Sequence, residues 1–133
     1  MIALAGCDDG IYLVDVDEEQ VVGHEPEGAV ERERPLELAP PWAANRTLDV
    51  DAVGSTVVLL LDRRPPLLIS HDGGLSWTER GGGLPAGRAV ALAENPDRVL
   101  YGARNRLYVS RNGGVFWSGL GVELPEIRDV AWG

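Results

Sequence analysis

The side chains most able to do chemistry in this 133-residue sequence are arginines. Arg88 and Arg128 stand forty positions apart, and Arg46 lies near the corresponding place one unit earlier. Arg63 and Arg64 are followed at a similar interval by Arg104 and Arg106. A guanidinium presents paired donors in a planar fork, so a ring of such groups suits a carboxylate or a phosphate. The expected ligand is therefore a small anion or an acidic segment of a partner protein. Asp62, Glu123, Glu126 and Asp129 are interleaved with these arginines and offer the competing reading of ordinary loop salt bridges.

Other reactive types are present but do not assemble. His24 and His71 stand alone in turn-like surroundings, with no H-x-x-x-H or C-x-x-C spacing, so neither a metal nor a cofactor is expected. Ser70 and Ser110 lack an evident base and oxyanion hole, and a role in turns accounts for them better than nucleophilic attack. Tyr12 and Tyr108 fall in apolar runs and read as packing residues. The single cysteine, Cys7, excludes a disulfide within one chain and suggests a reducing, cytoplasmic setting. The "LAGC" ending at Cys7 resembles a lipobox, but only six non-basic residues precede the cysteine. Asn45-Arg46-Thr47 matches a glycosylation sequon, without a secretion signal to make use of it. The longest apolar run, residues 57–61, is far too short to span a membrane.

Charge narrows the partners further. The net charge is −9. Residues 8–37 hold eleven acidic residues against only Arg32 and Arg34, while the remainder is balanced. An acidic surface repels nucleic acid, so DNA and RNA are not expected partners. All twelve basic residues are arginine, which together with the acidity points to a salt-adapted, halophilic source or to GC-rich coding.

The elements that must position the arginines come from a repeat. "SHDGGLSW" (70–77) returns as "SRNGGVFW" (110–117), and residues 48–85 align with 88–125 throughout. A period near forty with several short strands per unit indicates a propeller blade or a similar array. Each unit reads as four strands separated by turn signals; in the last these are about 88–93, 98–102, 106–110 and 115–119. Helical periodicity is absent, so the expected class is all-β. In each octet the Asp or Asn is expected to accept N–H groups two residues on, the glycines to take positive φ, and the tryptophan to pack between neighbouring units.

The octet resembles the Asp-box, or BNR repeat, with pattern S-x-D-x-G-x-x-W. Ser70, Asp72, Gly74 and Trp77 match it fully; Ser110, Gly114 and Trp117 match in the second copy, where Asn112 replaces the acid. The resemblance covers residues 48–125. Asp-boxes occur in β-propellers of the sialidase, sortilin and photosystem-assembly-factor types, on the face away from the binding site. It therefore implies a structural role for these eight residues, and leaves the functional face to the arginines. Sialidases also need a tyrosine–glutamate pair and an acidic proton donor, which cannot be placed here; Tyr101 lies in a second strand without an assignable partner. The favoured function is a non-catalytic binding or scaffold module, the alternative a sialidase-like glycoside hydrolase or lectin for acidic sugars.

The two ends read as one unit cut open. The start supplies second and third strands without a first, and "EIRDVAW" supplies a first strand without followers. Asp15 takes the serine position of a degenerate third box, with residues 18–40 expected as a widened hairpin and outer strand. The chain is thus one domain, 1–133, with blade units of about 1–45 (completed by a 127–133 strand), 46–86 and 87–126. Three blades do not close a ring of four to eight. In an open arc the tail is expected to lie far from its own head, so a homodimer exchanging C-terminal strands would close six blades.

Overall fold

A computed structural model describes residues 1–133. Twelve strands form three four-stranded antiparallel sheets, and the only helical residues are two single 3-10 turns, Leu36–Leu38 and Ala44–Arg46. Sheet 2 runs in chain order through β4 (Thr47–Val53), β5 (Thr56–Leu61), β6 (Leu67–Ser70) and β7 (Thr78–Arg80). Sheet 3 does the same through β8 (Ala89–Leu92), β9 (Val99–Gly102), β10 (Leu107–Ser110) and β11 (Ser118–Gly119). Its last strand begins after Trp117 rather than at Val115, because the hydrogen-bonded turn extends through Phe116. Sheet 1 has the order β12 (Ile127–Trp132), β1 (Ile2–Cys7), β2 (Gly10–Asp15), β3 (Gln20–Glu25).

The first strand of sheet 1 is therefore the last of the chain, and the strand it joins is its own. Ala3 faces Trp132, Leu4 faces Ala131 and Ala5 faces Val130 in an antiparallel ladder. This corrects the expectation that the tail lies far from its own head. Sheet 1 sits beside sheet 3 rather than beyond sheet 2, so β12 reaches β1 directly after sheet 3 ends. The connection 26–46, hereafter the strap, carries the chain back from β3 to the start of sheet 2.

Sheet 3 is the middle layer. One face, with Val90, Leu92, Val99 and Tyr101, packs on Val58, Leu60, Leu67 and Ile69 of sheet 2. The other, with Ala89, Ala91, Leu100 and Val109, packs on Ala3, Ala5 and Val14 of sheet 1, joined by Ile127 and Val130. Both cores follow from alternation along half-buried strands. β5 is buried at all six positions because sheet 2 is covered on both faces. Its second cover is the strap, which lays Ala39 and Ala43 over Val50, Val57, Leu59, Leu61 and Leu68. Each fully buried leucine in these cores contributes about 1.5–3 kcal/mol.

The octet turns are local constructions. Ser70 Oγ accepts the Gly74 N–H (2.8 Å) and donates to Asp72 Oδ1 (2.7 Å). Asp72 Oδ1 then accepts N–H groups of Leu75 and Ser76, and Oδ2 accepts the Ser76 hydroxyl. Asp72 and Asn112 thus accept amides three or four residues on, not two, while the amide two residues beyond each serine goes to the serine Oγ. Asn112 keeps the Ser110 and Phe116 bonds. The residue equivalent to Ser76 is Phe116, which has no hydroxyl to offer a second carboxylate oxygen. Gly74 and Gly114 have φ of 96° and 86°, a region side chains avoid. Trp117 packs at the seam of sheets 2 and 3, whereas Trp77 packs on the strap side of sheet 2.

The third box differs more than expected. Asp15 Oδ1 accepts the N–H groups of Asp17 and Glu18, and Glu19 takes a φ of 54° without a glycine. The hairpin is tight, four residues between β2 and β3, so the widened loop expected over 18–40 is absent and β3 starts at once. Asp15 can brace its own turn by accepting nearby amides, which removes the need for a long one.

Candidate functional site

Hairpin topology sorts the loops onto two ends of the molecule. One end carries the two octet turns, the 16–19 turn, and the β4–β5 and β8–β9 connections. The opposite end carries the β1–β2, β5–β6 and β9–β10 turns and the starts of β4, β8 and β12. All seven arginines of interest, Arg46, Arg63, Arg64, Arg88, Arg104, Arg106 and Arg128, fall at this second end. They meet there Asp8, Asp9, Asp62, Glu79, Glu123 and Glu126, so the end mixes both signs of charge.

The seven divide by what they touch. Arg88 pairs with Glu126 (3.0 Å), and Arg128 pairs with Glu126 (3.4 Å) and Asp8 (3.3 Å). Arg63 Nη2 pairs with Glu79 (3.2 Å) across the edge of sheet 2. Arg46, Arg64, Arg104 and Arg106 have no carboxylate within 4.0 Å. Of the acids expected to compete, Glu126 does so. Asp129 instead pairs with Arg32 and Arg34 of the strap, and Asp62 and Glu123 form no ion pair.

A cavity of about 210 Å³ opens at this end between sheet 2 and the 84–87 connection, lined by Leu61, Asp62, Arg63, Arg64, Pro85 and Gly87 among others. Its wall is fixed by a close approach. A Cβ on Gly87 would meet the Tyr101 hydroxyl at 2.5 Å, and that hydroxyl donates to Pro85 O (2.6 Å). Burial, the largest influence on Tyr101, pushes its phenol well above the usual range. Arg63, one of the lining residues, has its Nε buried without a hydrogen-bond partner. A buried donor without a partner is an unmet hydrogen bond.

Sheet 1 adds a cluster that sequence spacing did not reveal. Tyr12 OH donates to Asp9 Oδ2 (2.6 Å), His24 stacks on Tyr12 with ring centroids 4.2 Å apart, and His24 Nε2 lies 2.9 Å from Asp9 O. The ladder pairing of Tyr12 with His24 makes the stack. The hydrogen bond to Asp9, assisted by burial and the Asp9 charge, raises the Tyr12 phenol to about 12. Such a phenol is held protonated, unlike an activated nucleophile. Cys7 is raised to about 11, chiefly by burial and then by Asp9 and Asp8. No group of three metal-binding side chains converges anywhere in the chain. His71 lies near Thr56 in an octet turn (3.4 Å), and Thr47 of the sequon donates its hydroxyl to Ala43 O.

No protein-family model, curated protein or solved structure matches this chain. The likeness to Asp-box proteins rests on the octets alone. No helix is long and apolar enough to cross a membrane.

Proposed function

We propose that the protein is a non-catalytic, cytoplasmic binding module built as half of an Asp-box β-propeller, and that its arginine end takes a small anion or an acidic peptide segment. The observation that carries this reading is a cavity lined by Arg64, whose guanidinium has no carboxylate within 4.0 Å. Arg63 beside it keeps a buried Nε without a partner while its Nη2 pairs with Glu79. Arg104 and Arg106, from the equivalent turn of sheet 3, extend the unpaired charge along the same end. Arg88 and Arg128, already neutralised by Glu126 and Asp8, act as the frame. A carboxylate, sulfate or phosphate matches the fork geometry and gains from a site partly withdrawn from water. The fold's partner is a second copy: three sheets are half of the smallest six-bladed ring two chains can close.

Calorimetric titration with sulfate, phosphate, an acidic sugar and a glutamate-rich peptide tests the site. Binding to at least one, lost in Arg64→Ala and weakened in Arg63→Ala but retained in Arg111→Ala at the opposite end, is the expected result. Equal binding by all three variants would reduce the arginines to structural salt bridges.

A further inference from the structure

The phase of the strand ladders shows which faces of the sheets are alike. Hydrogen bonds join Leu61 to Pro66, Ala103 to Arg106 and Met1 to Val16, each between the second and third strands of its sheet. Residues two and four removed from such a pair point to the same side, and for equally oriented strands that side has the same hand in each sheet. Val57 and Leu59, Val99 and Tyr101, and Ala3 and Ala5 therefore mark one common face, here the rear. The rear of sheet 3 packs on the front of sheet 2, and the rear of sheet 1 packs on the front of sheet 3. Every sheet-on-sheet seam has one sense. Two faces are left over, and they are of opposite kind: the rear of sheet 2 and the front of sheet 1.

The front of sheet 1 presents Ile2, Leu4 and Leu13, all half-buried. The rear of sheet 2 is apolar and covered only by the strap, whose two alanines replace the sheet that lies over every other such face. The strap also bridges both ends. Arg32 Nε donates to Val130 O of β12 (2.9 Å), and Arg32 Nη1 donates to Val50 O of β4. Arg32 and Arg34 each pair with both Asp49 and Asp129, and Asp49 is only 1% exposed. The strap lies on sheet 1 too, where the Val30 side chain approaches Gly6.

We propose that the strap is an internal substitute for a second copy of this chain, and that its release lets the front of sheet 1 seat on the rear of the partner's sheet 2. This inference rests on the ring reading above and adds what controls it. The seam so formed repeats the sense of the two seams already present, and a two-fold operation makes two of them at once. The seams held in one chain are apolar, whereas the strap is held by ion pairs and two small side chains. The 21 residues from 26 to 46 extend to roughly 70 Å, so the chain stays continuous with the strap displaced. Monomer and ring then compete for the same faces.

A disulfide tests the competition. A Cβ at Gly6 would lie 3.5 Å from Val30 Cβ, within the range a disulfide spans. Gly6→Cys with Val30→Cys, in a Cys7→Ser background, locks the strap when oxidised. Light scattering over a concentration series should give about 14.3 kDa for the oxidised form throughout, and a rise to twice that mass for the reduced form. Arg34→Ala, the more exposed of the two anchors, should dimerise at roughly tenfold lower concentration than the wild type, as expected for weakening a partly buried ion pair. Dimers in both oxidised and reduced forms would overturn the strap as gate while leaving the ring intact. An unchanged dimerisation concentration in Arg34→Ala would also overturn the gate. Monomers in every form, Arg34→Ala included, would overturn the ring and the gate together.

Discussion

At Asp72 one carboxylate gathers four donors within its own turn, and this concentration has a measurable signature in pH. Hydrogen bonds from the Ser76 and Ser70 hydroxyls, then from the Ser76 amide, hold its pKa well below the ordinary carboxylate value. A depressed folded-state pKa contributes stability above the unfolded value near 4, which is lost as pH falls through the folded value. Asp72→Asn keeps an acceptor but cannot receive the Ser76 hydroxyl at its second position. The variant should melt several degrees below the wild type at pH 7, with the gap narrowing from about pH 4 downward. Equal melting at neutral pH would remove the turn-bracing role. Cys7 offers a second reading at this scale. With its thiol raised to about 11 by burial and by Asp9 and Asp8, it should resist iodoacetamide at pH 8 while the protein is folded and react once unfolded.

At the scale of elements, β12 is the piece on which sheet 1 depends. Ile127 and Val130 are fully buried in the core shared by sheets 1 and 3. Ile127→Ala should cost about 2–5 kcal/mol in urea denaturation, the usual range for emptying such a position. Deleting 127–133 should leave β1 as a bare edge and send the protein into aggregates. What the sequence disclosed depended on distance along the chain. Ser70, Asp72 and Gly74 act within five residues, so their spacing displays the turn before any fold is known. The strand content of 48–125 is similarly plain, since the alternation and the repeated glycines are local. The cis closure by β12 was hidden because it depends on where sheet 1 lies, which is decided by sheet 3 contacts a hundred residues away. The strap was hidden for the same reason. Arg32 reads as one charge in an acidic run until Asp49 and Asp129 arrive beside it. At the arginine end, the common placement of seven residues followed from topology, but which of them Glu126, Asp8 and Glu79 neutralise did not.

For the whole molecule the balance of charge matters more than any one pair. The chain carries −9, and much of the excess lies in the strap and in sheet 1. Repulsion among exposed carboxylates is screened over about 10 Å at 0.1 M salt, whereas the nearly buried pairs of Arg32 are screened much less. Added salt should therefore raise the melting temperature between low ionic strength and about 0.5 M, because it relieves the repulsion and spares the strap anchors. A melting temperature independent of salt would end the salt-adapted reading. The same titration bears on the arginine end, where sulfate should stabilise more than chloride at equal ionic strength if the cavity takes an oxyanion.

The antiparallel ladder of β12 on β1 places the two chain ends side by side, with the Gly133 amide donating to Ile2 O. A short turn could join them as a hairpin, and the chain could then be opened elsewhere. A circular permutant that begins at Thr47, runs through Gly133 into Met1 and stops at Glu25 would contain every strand and omit the strap. Its three sheets would follow one another in the order in which they pack, 2, 3 and 1. Such a molecule, freed of its own substitute wedge, is expected to assemble at concentrations where the natural order of the chain remains single.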